Sequence, residues 1–132
     1  VGSEYAFAQK LSMATMKNAA GNLVAPTIIS ISAAAQGDMP ADTRTMITNS
    51  SNPEAYPISC LTWIIIYKEQ AYNNRTEEQA KATLQLLEFI LSPEVQKTAA
   101  SINYAPLPET AVSNSLKNLK AATYNGKPLL QD

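Results

Sequence analysis

The stretch from position 55 to 68 reads Ala55-Tyr56-Pro57-Ile58-Ser59-Cys60-Leu61-Thr62-Trp63-Ile64-Ile65-Ile66-Tyr67-Lys68, the most apolar run in the chain. Between Leu61 and Tyr67 it is rich in Ile, Trp, Tyr and Thr, short, and without the polar positions that an amphipathic helix keeps for solvent. A strand is the expectation. Because its hydrophobicity is nearly continuous rather than alternating, the strand is expected at the centre of a sheet covered on both faces, the pattern of α/β proteins.

Downstream, Asn73-Asn74-Arg75 breaks the chain and Thr76-Glu77-Glu78-Gln79 forms a capping box, with Thr76 accepting from the backbone and Gln79 reaching back. The helix that follows is expected to bury Ala80, Leu84, Leu87 and Leu91. Ser92-Pro93-Glu94 restarts helix: Ser92 caps, Pro93 suits the first position and Glu94 the positive end of the dipole. That second helix ends before Asn103-Tyr104. After a turn between Pro106 and Pro108, a third helix is expected from Glu109 to Ala121, burying Val112, Leu116 and Leu119. Asn125-Gly126-Lys127-Pro128 is a final turn.

Upstream, Glu4-Tyr5-Ala6-Phe7-Ala8 alternates like a short strand with Tyr5 and Phe7 on one face. A small hairpin is expected from Met13–Lys17, through the turn residues Asn18 to Asn22, into Leu23-Val24. Thr27 is placed to cap a helix from Ile28 to Gln36, with Gly37 as its stop. The polar segment from Gly37 to Asn52 reads as loop with one short strand near Thr45 to Ile47. Asn49-Ser50-Ser51 and Asn74-Arg75-Thr76 match a glycosylation triplet that is common by chance.

The chain has 132 residues, 45% of them hydrophobic and 16% charged, enough for one packed domain or a piece of a larger one. A net charge of −1 with scattered Lys and Arg offers no electrostatic footprint for nucleic acid. No apolar run approaches the roughly 20 residues that span a bilayer. The chain begins at Val1 without Met, basic n-region or h-region, which is expected of a processed chain or an excised fragment.

Catalytic provision is sparse. The absence of His removes the commonest metal ligand and general base, and one cysteine makes no internal disulfide. Cys60, inside the apolar run, is expected to be a buried, inert thiol. The glycines at 2, 21, 37 and 126 are too far apart for a phosphate-cradling loop. Asp38 and Asp42 read as a solvated turn, and Glu77 and Glu78 as dipole partners in a first helical turn. Ser59 and Thr62 read as structural hydroxyls. Trp63, Tyr67, Tyr56 and Tyr104 either line a pocket or fill a core, with core favoured for Trp63. No catalytic, ligand-binding or metal residue is assigned, no cofactor is expected, and the chain is not expected to be an enzyme.

Four stretches, in order, resemble the phosphate-binding periplasmic proteins of ABC importers. Val1-Gly2-Ser3-Glu4-Tyr5-Ala6-Phe7-Ala8 is similar to that family's Ile-Gly-Tyr-x-Glu-Tyr-Ala-Tyr-Ala, one residue shorter. Asn18 to Thr27, followed by an Ala-rich helix, resembles its Ala-x-Gly-x-x-Val-x-Pro-Thr stretch. The run from Ala55 to Gln70 resembles its Tyr/Trp-Pro-Ile-Ser/Thr lead into an apolar strand closed by Lys or His and an acid. Asn103 to Leu119, then Asn125 to Leu129, resembles its Tyr-x-Pro/Ser-Leu-Pro helix and Gly-Lys-Pro ending.

The resemblance implies the C-terminal portion of a two-lobed type II periplasmic binding protein, α/β, with a mixed sheet and flanking helices. Residues 1–54 would be the end of the second lobe, and residues 55–132 the return to the first, with a hinge near Glu54 to Ile58. It implies inorganic phosphate as ligand of the full-length protein, an ABC permease as partner and a periplasmic or cell-surface-anchored location. In that family the anion is held by hydroxyls, helix N-termini, an Asp and an Arg upstream of the matching region, so no ligand residue carries over onto this chain. Unpaired sheet edges make self-association an expectation. The competing reading is a structural or partner-docking module without a ligand site of its own; an enzyme acting on phosphate esters has the least support.

Overall fold

The best-defined elements are those whose ends are written into adjacent residues. In the computed structural model, which describes residues 2–130, Thr27 and Thr76 each head a reciprocal capping box. The Thr27 hydroxyl accepts from Ser30 N–H at 3.1 Å while Ser30 Oγ accepts from Thr27 N–H at 2.9 Å, starting the helix Ile28–Ala34. The Thr76 hydroxyl accepts from Gln79 N–H at 3.3 Å and Gln79 Oε1 from Thr76 N–H at 3.0 Å, starting Glu77–Ile90. Each box satisfies donors that a helix start leaves orphaned.

In chain order the elements are α1 (Ser3–Ala8), β1 (Met16–Lys17), β2 (Leu23–Val24), α2 (Ile28–Ala34), α3 (Glu77–Ile90), α4 (Pro93–Ser101), α5 (Glu109–Lys120), β3 (Thr123–Tyr124) and β4 (Lys127–Pro128). The strands form two separate antiparallel pairs, β1 with β2 and β3 with β4. The chain is thus a mixture of helices and small sheets. The β3–β4 turn puts Asn125 at φ 50° and Gly126 at φ 76°, the positive angles that a type I′ hairpin requires at both central positions. Ser92 caps α4 with Pro93 at its start, as its residue types dictate.

Two apolar clusters organise the packing. One joins Ala80 and Leu84 of α3 to Leu119 of α5, Ala122 and Leu129, with Ile66, Leu87, Leu91 and Tyr124 against it. The other joins Ala34, Ala35, Ile47 and Ala55, with Leu61 against it. Asn114 and Asn118 of α5 stitch them together by donating to the carbonyls of Met39, Pro40 and Ala41.

Several expectations are corrected. Leu61 to Tyr67 is not a central strand: none of these residues lies in a ladder, and Ile64 and Ile65 are 64% and 93% exposed. A near-continuous apolar strand needs a neighbour on each edge and a layer on each face. Among the described residues, the strands are two residues long and occupied in their own hairpins. What remains is one parallel bridge between Glu69 and Thr123, just past the apolar run.

Residues Glu4 to Ala8 are helix, not strand. The alternation of Tyr5 and Phe7 over so few residues fits either period, and Ala6 is the residue α1 buries. Its end is a Schellman arrangement with Lys10 at φ 53°, Lys10 N–H donating to Phe7 O and Leu11 N–H to Ala6 O. A left-handed Lys gives no sequence signal of a helix stop. Helix α2 ends at Ala34, before Gln36 and Gly37, and Thr45 to Ile47 forms no strand. Leu87, Leu91, Val112 and Leu116 are half-buried rather than buried, while Ala111 takes the interior position on α5.

Candidate functional site

Three polar constellations and one bare ribbon are the features with chemical potential. The first constellation holds the segment just before the ribbon. Asn18, 6% exposed and just past β1, donates its amide to Pro53 O at 2.9 Å and Ala55 O at 3.2 Å and accepts from Asn22 N–H at 3.0 Å. Asn22 also donates to Pro53 O. Tyr56 N–H donates to Ser30 O on α2, Asn49 N–H to Pro57 O, and the Thr48 hydroxyl to Ser59 O. The stretch expected to be a hinge is held from the hairpin, α2 and the preceding loop.

The second constellation surrounds Glu69. Its carboxylate accepts from the N–H groups of Ala71, Asn125 and Gly126 and from the Thr123 hydroxyl, at 2.9 to 3.1 Å. These donors, Ala71 and Gly126 foremost, hold its pKa at about 2, well below the ordinary carboxylate value. The carboxylate ties the β3–β4 turn to the end of the ribbon.

Arg75 is the centre of the third. Its guanidinium donates to Gln70 Oε1, to the Tyr72 and Thr83 hydroxyls and to Gln79 O, and lies 5.6 Å from the Tyr72 ring centroid. Gln70, fully buried, completes the knot by donating to Tyr67 O. The other arginine, Arg44, is exposed and paired with Asp42 at 2.7 Å. Hydrogen bonding from the Arg44 guanidinium keeps the Asp42 carboxyl below its usual range. Both arginines are therefore engaged within the chain.

The ribbon from Cys60 to Tyr67 is different in kind. Among the described residues, no backbone N–H or C=O from Cys60 to Ile66 is hydrogen bonded. Leu61 and Ile66 anchor it in the two clusters, and Trp63 Nε1 donates to Thr43 O at 3.2 Å. Cys60 is exposed rather than buried, and Trp63 is 42% exposed rather than core, because no helix or strand among the described residues covers this stretch. Thr62, Tyr67 and Tyr104 are exposed, whereas Ser59 is buried and donates to Tyr56 O.

Asp38 lies in the exposed loop, and Glu77 and Glu78 in the exposed first turn of α3, where Glu78's own N–H and the Thr76 hydroxyl lower its pKa. No group of three His, Cys, Asp or Glu converges as a metal site among the described residues. A cavity of about 40 Å³ lies between Ile31, Ile47, Cys60 and Leu107. A shallow cleft of about 320 Å³ is lined by Phe7, Thr27, Ile28, Ile29 and Asn103. Neither lining contains a charged side chain. The Asn18, Glu69 and Arg75 constellations escaped sequence reasoning; only the acid closing the apolar run hinted at one of them.

No protein-family model matches the chain. It is 32% identical over 111 residues to the phosphate-binding protein PstS of Xylella fastidiosa strain 9a5c, covering 82% of this chain and 29% of the relative. The phosphate-binding protein PstS of Xylella fastidiosa strain Temecula1 is equally similar, at 32% over 111 residues and the same coverage. The chain thus spans less than a third of the length of these curated relatives.

Proposed function

We propose that this chain is the C-terminal portion of the phosphate-binding component of an ABC-type phosphate importer. In this reading a two-lobed type II receptor, outside the cytoplasm, closes around inorganic phosphate and delivers it to a membrane permease. Residues 1–54 belong to the second lobe and residues 55–132 to the return into the first. The observation that carries the reading is the 32% identity to PstS over 111 residues. No helix among the described residues is long and apolar enough to cross a membrane, which suits a receptor rather than a permease.

The anion grip lies on other polypeptide. A tetrahedral anion is held by fixed guanidinium groups, backbone N–H groups and hydroxyls. Here Arg75 is consumed by Gln70, Tyr72, Thr83 and Gln79, Arg44 is paired with Asp42, and both cavities are uncharged. The role is binding, not catalysis, and needs no cofactor.

Isothermal titration with phosphate tests this on two samples: a protein of the relatives' full length carrying this segment, and the 132-residue chain. Micromolar or tighter binding by the first and none by the second is the expected pair of results. A full-length protein that ignores phosphate sinks the transport reading, and binding by the short chain sinks the placement of the grip. The second reading, a docking module without its own ligand, is favoured only by the bare ribbon. It requires a partner captured by a full-length protein that binds no phosphate.

A further inference from the structure

The β3–β4 turn contains the one place in the chain where Asn precedes Gly, at Asn125-Gly126. Such a pair is chemically labile, because a residue without a Cβ leaves its backbone nitrogen unhindered as a nucleophile toward the preceding asparagine side chain. The Gly126 nitrogen gives its proton to hydroxide and attacks Asn125 Cγ. That N–C bond forms, the Cγ–Nδ2 bond breaks, and the leaving nitrogen takes a proton from water and departs as ammonia. Water then opens the five-membered imide at either carbonyl and leaves aspartate or isoaspartate at position 125. Asn125 and Gly126 are both exposed, and a Cβ built on Gly126 would meet no atom within 4 Å, so the surroundings leave room for the reaction.

One group opposes it. The Glu69 carboxylate accepts from Asn125 N–H at 2.9 Å and from the would-be nucleophile, Gly126 N–H, at 3.1 Å, and is itself fixed by the Ala71 N–H and the Thr123 hydroxyl at 2.9 Å each. A carboxylate that accepts from an N–H favours the proton-bearing form of that nitrogen, and its negative charge opposes the anion the nitrogen must become. The same bonds restrain the turn. Ring closure needs Asn125 Cγ to swing over the Gly126 nitrogen, while the pairing of Tyr124 with Lys127 and the two Glu69 bonds hold positions 125 and 126 at φ 50° and 76°. We infer that Asn125 is a deamidation site held shut by the Glu69 carboxylate, which engages the N–H that would attack it. Once opened, the site does not close again: aspartate at 125 sets a second negative charge beside Glu69, and isoaspartate adds a backbone atom that the hairpin register does not accommodate. This inference concerns residues of this chain alone and does not rest on the transport reading.

Peptide mapping by mass spectrometry, with isoaspartate separated from aspartate by chromatography, tests it over days at mildly alkaline pH. The samples are the native wild type, the wild type in concentrated urea, Glu69→Gln and Asn18→Ala, with folding of the variants verified by circular dichroism. Position 125 is expected to react slowest in the native wild type and fastest in urea. Glu69→Gln is expected to react at least about threefold faster than the native wild type, as loss of a charged acceptor allows. Asn18→Ala, which loosens the chain away from the turn, is expected to match the wild type. Equal rates in Glu69→Gln and the wild type overturn the inference, as does a native wild type that reacts as fast as the unfolded one. Acceleration by Asn18→Ala equal to that by Glu69→Gln overturns it too, since global opening would then set the rate. Should Glu69→Gln not fold, Thr123→Val, which removes one donor to the carboxylate, is read in its place: a rate above the wild type supports the inference, and an equal rate overturns it.

Discussion

The ribbon from Leu61 to Tyr67 and helix α3 are both apolar stretches, yet one lies bare and the other carries the core. Helix α3 satisfies its backbone within itself and through the Thr76 box, so it needs a neighbour only along one face, which α5 and the β3–β4 hairpin supply. Among the described residues, nothing hydrogen bonds to the ribbon's backbone from Cys60 to Ile66. Apolarity alone does not bury a segment; its hydrogen bonds must also have somewhere to go.

The largest test of that contrast is a pair of truncations. Leu84 of α3 is fully buried in the cluster with Ala80, Leu119, Ala122 and Leu129, and Leu84→Ala is expected to cost about 2–5 kcal/mol by urea denaturation. Ile65→Ala removes as many side-chain carbons from a residue that is 93% exposed and is expected to stay within about 0.5 kcal/mol of the wild type. Equal costs would break the comparison. Next is Asn18→Ala, expected to cost about 1–3 kcal/mol, because it leaves the buried Ala55 O without its donor and Asn22 N–H without its acceptor, while Pro53 O keeps the Asn22 amide. A negligible cost would mean that the approach to the ribbon is held by the backbone contacts of Tyr56 and Asn49 alone. Smaller again is Thr76→Ala at about 1 kcal/mol, with Thr76→Ser close to neutral, which measures how much of α3 its own cap secures.

What could be read in advance follows the same division. The Thr27, Thr76 and Ser92 caps, the Asn125-Gly126 turn and the β1–β2 hairpin were legible because each is decided by residues within a few positions of one another. The environment of Leu61 to Tyr67 was not, since burial of a strand is decided by segments far along the chain. Helix α1 is not legible because its short alternation suits both periods and its stop is a left-handed Lys10 instead of a glycine. Of the site, the scarcity of catalytic groups was legible from composition. The constellations of Asn18 with Pro53 and Ala55, and of Glu69 with Thr123, Asn125 and Gly126, join residues dozens of positions apart that no local pattern links.

Glu69 stands where the two regions meet, at the end of the ribbon and under the β3–β4 turn, so its titration reports on the junction. Its folded pKa is depressed to about 2 from an ordinary 4.5, chiefly by the N–H groups of Ala71 and Gly126. A group whose folded pKa is lowered contributes stability that is present above the unfolded value and is lost as pH falls through the folded one. Stability from this carboxylate is therefore constant above pH 4.5 and declines between there and about pH 2. Because the group is solvent-exposed, the effect is the smallest of the set and weakens with salt. Glu69→Gln should be less stable at neutral pH and lose less than the wild type on acidification through that window, in thermal melts at matched ionic strength. If both proteins lose stability in parallel, the carboxylate does not tie the hairpin to the ribbon, and the parallel backbone bonds of Thr123 with Lys68 and Gln70 hold that junction by themselves.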